Sequence, residues 1–191
     1  MLDIFSYFII PVYTILLARQ DSLFDANLSI ISSDIAHKDA FMLWAFMIVA
    51  FIYLVLSKVI SNHKLRYKKL DNILVVVSCV LLLLSATTPF LPDIYPVKAE
   101  LHVVFAFTST VVLLLAFLLI TWELRCLDKK QYNIFFILII IIGLISFFLF
   151  IYFGMVTGFL EVFITITGTI MAKTLYERSK KAASCSVEMN L

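Results

Sequence analysis

Residues 134–153 read IFFILIIIIGLISFFLFIYF, twenty positions without a charge. A helix rises 1.5 Å per residue, so about 20 such residues cross the roughly 30 Å hydrocarbon layer of a bilayer. Comparable apolar stretches lie on either side, at about 4–18, 41–58, 73–88, 101–121 and 158–175. Six spans of roughly 20 residues account for most of a 191-residue chain. The expectation is one all-α transmembrane bundle of six helices over residues 1–176, with short loops and a tail at 177–191.

Composition agrees. Apolar residues make up 63% and charged residues 15% of the chain, and mean hydropathy is +1.06. Soluble domains are usually about 45–50% apolar and about 25% charged. The balance excludes a soluble globular protein and a disordered chain. A net charge of +2 gives no electrostatic case for nucleic acid. The first stretch reads as a retained helix rather than a signal peptide, because Met1–Asp3 carries no basic residue and no small-residue cleavage site follows Leu17. Pro11 should kink that helix, or sit where a neighbour satisfies the freed carbonyl.

Basic residues set the expected orientation. Lys58, Lys64, Arg66, Lys68, Lys69, Arg125, Lys129, Lys130, Lys173, Arg178, Lys180 and Lys181 fall on one side of the alternating spans, and Arg19, Lys38 and Lys98 on the other. The positive-inside rule then places both termini in the cytoplasm. The run 63–69 reads as a topology signal touching anionic headgroups. Trp44, Trp122 and the tyrosines at span ends read as interfacial anchors. Cys79, Cys126 and Cys185 include no outer-side pair, so no disulfide is expected. No Cys/His cluster suggests a metal, and no cofactor motif is present.

Small and weakly polar residues mark the helix faces expected to pack inward. Span six carries Thr157, Glu161, Thr165, Gly168 and Ala172 at helical spacing; span four carries His102, Ala106, Ser109, Leu113 and Ala116; span three carries Ser78, Leu82 and Ser85. The stripes of spans four and six should bring those spans together, with His102 and Glu161 in one outer layer. Glu161 reads as the only acidic residue well inside a span, and such carboxylates face a bundle interior or a wet cavity. Glu177 falls in the solvated tail. The loop 27–39 is half apolar, with Leu28, Ile30, Ile31 and Ile35, so it should fold over the outer mouth and carry Asp34 there.

These features lead to Asp34, His102 and Glu161 as a small polar pocket in the outer half, for a lipid headgroup or a small ligand. The leading reading is a non-enzymatic membrane protein whose partners are membrane lipids. One alternative is a membrane-embedded enzyme acting on lipid, with His102 and a carboxylate as acid and base. Another is a proton- or ion-coupled transporter using Glu161. No hydrolase, zinc-protease or nucleotide-loop motif is present. The inner stripe positions Gly168, Ala172, Leu113 and Ala116 carry no ionisable group, which argues against a through-pore.

A Ser33-Asp34 pair follows the first span, a proline-rich outer turn spans 89–96, and the fourth span opens on His102 and Ala106. This arrangement resembles the DRAM-like group of six-span membrane proteins. Residues 27–44 and 154–161 are similar to bacterial integral membrane proteins of uncharacterised activity. The resemblance implies the six-span architecture and a bacterial plasma membrane, and it implies no catalytic residues.

Overall fold

The computed structural model describes residues 2–19, 28, 30 and 37–188, with side chains to residue 182. Six helices occupy them: α1 (Leu2–Ala18), α2 (Lys38–Asn62), α3 (Lys68–Thr87), α4 (Pro96–Leu127), α5 (Lys129–Phe153) and α6 (Gly158–Glu188). No strand occurs among the described residues. Helices α2, α3, α4, α5 and the Gly158–Ala182 part of α6 are long and apolar enough to cross a membrane, whereas α1 is shorter.

Most helices outrun their apolar stretches, because polar residues stay helical once a helix is nucleated. Local chemistry sets the ends. Pro96 opens α4 at a first-turn position, where its missing N–H costs nothing. Asp128 caps α5 by accepting the Gln131 N–H at 3.1 Å. Gly154 closes α5 at φ +66°, a left-handed conformation that suits glycine, and its N–H donates to the Phe150 carbonyl. Thr157 Oγ1 accepts the Leu160 N–H at the start of α6. In α1 the residues before Pro11, Phe5–Ile9, form a π-helical turn. The wider turn relieves the clash between the proline ring and the carbonyl four residues earlier, so the helix changes register instead of breaking.

Helices α2 to α6 close a ring in chain order, α6 returning to α2, and α1 packs on α2 and α6. Polar contacts show which ends meet. At the basic end, Lys173 Nζ donates to Asp3 Oδ1 at 2.5 Å and also to Glu177. Asn62 Nδ2 donates to Ser179 Oγ at 3.1 Å, and Gln131 Nε2 to the Arg178 carbonyl at 3.3 Å. His63 Nε2 and the Tyr132 hydroxyl lie 3.2 Å apart, and burial pushes the His63 imidazole below its ordinary pKa. The start of α1 and the last turns of α6 therefore share one face. Glu177 is not a purely solvated residue as expected; it helps neutralise Lys173, which is buried.

The opposite end is tied differently. The Tyr13 hydroxyl donates to the Ala40 carbonyl at 3.0 Å, and Trp44 Nε1 to Thr14 Oγ1 at 2.8 Å. Trp44 is buried and so does not serve as the expected interfacial anchor; its N–H links α2 to α1. Trp122 is exposed, as an anchor would be. Trp44→Phe removes the donor and the pyrrole half of the buried indole. It should cost about 1–3 kcal/mol in thermal unfolding of the detergent-solubilised chain, about 1 kcal/mol of it from the hydrogen bond. A variant as stable as the parent would show that the link carries no weight.

Candidate functional site

A cavity of about 270 Å³ lies between α4, α5 and α6 in the half away from the basic end. Its lining on α4 runs from His102 to Leu114, roughly 18 Å at 1.5 Å per residue. That is close to the ~15 Å depth of one leaflet's hydrocarbon, taken as half of 30 Å. The wall is mostly Val103, Phe107, Val111, Phe147, Phe150 and Ile164. Val103, Phe107, Val111 and Phe147 are also exposed on the bundle surface, so the cavity opens there.

Its polar groups are few and placed by backbone contacts. His102 Nδ1–H donates to the Thr88 carbonyl at 2.8 Å, since a carbonyl only accepts, and the ring packs 5.6 Å from Phe90. This ties the end of α3 to the start of α4. Glu161 Oε2 accepts the Leu28 N–H at 2.6 Å. Leu28 is 1% exposed, so the carboxylate pins a core residue of the segment after α1. Deeper in, the Ser146 hydroxyl is buried and makes no hydrogen bond among the described residues.

Of the three residues expected at the site, His102 on α4 and Glu161 on α6 both line this cavity. Asp34 lies outside the described residues, as do Ile31 and Ile35 of the expected cover, while Ile30 is exposed. The route by which spans four and six were expected to meet is wrong. They are not packed neighbours. The α4 stripe packs on α3, where Ser109 Oγ donates to the Ser78 carbonyl at 3.0 Å. Around Gly168 there is open space rather than a close approach. Small residues permit close packing but do not name the partner, and here the chain neighbour takes it. The close glycine contact is Gly143, where an added Cβ would come 3.2 Å from Leu114 Cδ2.

Sequence reasoning missed two acidic residues inside the bundle. Asp71 is fully buried near the start of α3, and Glu123 is 6% exposed near the end of α4. Both continue stripes already visible. Asp71 precedes Val75 and Ser78 by four and seven residues, and Glu123 follows Ala116 by seven. Following each stripe one turn past the apolar stretch would have found them. With Lys173 they also put buried ionisable groups at the basic ends of the helices, where the sequence stripes carry none.

Phe8, Phe147, Phe148 and Tyr152 are 62–72% exposed, as side chains facing lipid are. Helices of this length and apolarity define an integral, multi-pass, all-helical membrane protein. No protein-family model, curated protein or solved structure matches the chain.

Proposed function

We propose that the chain is a non-enzymatic, six-span protein of a bacterial plasma membrane, with both termini cytoplasmic; the split of Lys and Arg between the loops supports that orientation. Its function is to hold one lipid in the cavity between α4, α5 and α6. The acyl chain lies along Phe107, Val111, Phe147 and Phe150, and the polar head reaches His102 and Glu161. The observation that carries this reading is that the two ionisable groups of the cavity, His102 and Glu161, both lie toward the end away from the basic face, while aromatic and aliphatic side chains make up most of the remaining wall. The cavity opens between exposed apolar side chains, so the apolar medium around the chain can enter it. Lipid is the apolar material at hand to fill it. His102 and Glu161 each hold a backbone group, which suits fixed polar anchors better than an acid–base pair.

Cysteine labelling at Ser32 and Ser61 tests the topology, and the two should react from opposite sides of the membrane. Reaction from the same side would overturn it. The lipid reading is tested with a phospholipid carrying a photoactivatable diazirine on its acyl chain. Crosslinks should concentrate on Val111, Phe147 and Phe150. Labelling spread evenly over Phe148 and Tyr152 as well would mean only bulk lipid contact.

A further inference from the structure

We infer that Asp71 and Glu123, at the basic end of the α3–α4 interface, form a binding site for a hard, oxygen-coordinated cation. The site lies in the other half of the bundle from the lipid cavity and does not depend on that reading. Asp71 is fully buried, and neither carboxylate oxygen has a hydrogen-bond partner among the described residues. The Glu123 carboxylate accepts the Tyr67 N–H at 2.9 and 3.3 Å from its two oxygens. Tyr67 is the residue before α3, and its carbonyl accepts the Asp71 N–H at 3.0 Å. One turn of backbone thus joins the two acids.

Two buried carboxylates without a counter-charge are strongly unfavourable, by several kcal/mol for each ion. The basic side chains nearby in sequence do not supply that charge. Arg66 lies over the Tyr67 ring at 5.1 Å and Arg125 over the Phe136 ring at 4.9 Å. Lys68 and Lys69 are exposed. The ion pairs among the described residues belong to Lys173. The donors offered are all oxygens, and hard cations complete such a shell with carbonyls and water. The surrounding basic loops would repel a cation in bulk water, so the attraction must come from the buried pair itself.

The full-length chain in detergent, exchanged into choline chloride, is titrated with sodium, potassium, magnesium or calcium chloride at constant ionic strength. Thermal unfolding is read by tryptophan fluorescence. At least one cation should raise the midpoint saturably, as a ligand of the folded state does. Asp71→Asn and Glu123→Gln should each weaken that binding by about tenfold or more. Glu100→Gln, an exposed acid at the opposite end, should leave it unchanged. If either variant fails to fold, equilibrium dialysis of the unmodified chain with the same cations decides. Stoichiometric uptake of one ion supports the site. A saturable shift that survives Asp71→Asn overturns the proposal, as does the absence of any cation effect beyond choline on the unmodified chain.

Discussion

Ala106→Trp should cut photo-crosslinking of the diazirine phospholipid at Phe147 and Phe150 by about tenfold, equivalent to roughly 1.4 kcal/mol. Ala106 lines the cavity one turn below His102, on the path from the polar end to the apolar wall. An indole there occupies the space the acyl chain would take. Hydrophobic transfer contributes little to this site, because a lipid leaving the bilayer moves from one apolar medium to another. Preference for the cavity must come from packing along Phe107 and Phe150, whose rings lie 5.6 Å apart, and from the polar groups above. Blocking the volume should therefore remove nearly all of the preference. Phe148→Trp is the control, since Phe148 is 66% exposed and does not line the cavity. Equal labelling of the two variants would show that the cavity is not the lipid's place.

Glu161→Ala should destabilise the chain by about 1–3 kcal/mol in thermal unfolding, the range for leaving a buried donor without its partner. The change removes the acceptor from the Leu28 N–H, and Leu28 is 1% exposed, so the donor is left without its partner in an apolar setting. Glu161→Gln keeps an oxygen that can accept the same N–H and should lose less. Leu28→Ala should cost about 2–5 kcal/mol by itself. In the double variant the losses should add to less than the two singles, since the tether and the packing hold the same segment. Additivity would mean that Leu28 stays buried without the carboxylate. Glu177→Gln is not a neutral comparison, because Glu177 bonds Lys173. Glu100→Gln serves instead.

The sequence carried the architecture because the bilayer imposes one simple rule. A span must be apolar over about 20 residues and must satisfy its own backbone. The uncharged run at 134–153 meets that rule without any knowledge of its neighbours, and α5 encloses it. The clustering of Lys and Arg could likewise be counted, and the contacts among Asp3, Lys173, Asn62 and Ser179 lie at that basic end. Individual residues were legible where a polar group interrupts an apolar helix, as Glu161 and His102 do.

Which helices touch could not be read in this way. Inside lipid an outward Leu and an inward Leu are equally well solvated, so hydrophobic periodicity loses its meaning. Only Tyr132, Phe135 and Ile139 of α5 are buried, in a helix apolar on every side. Ser109 meets α3 rather than α6 because the short turn after α3 delivers α4 beside it, and no pattern within α4 states that. Trp44 looked like an anchor from its place near a span end, yet Thr14 of α1 holds its N–H inside the bundle. Asp71 and Glu123 fell just outside the apolar stretches, although both project into the interior. Apolar length follows from the chain alone because the membrane reads it residue by residue. The partners of each polar side chain belong to the tertiary structure, because they depend on groups brought close from distant parts of the chain.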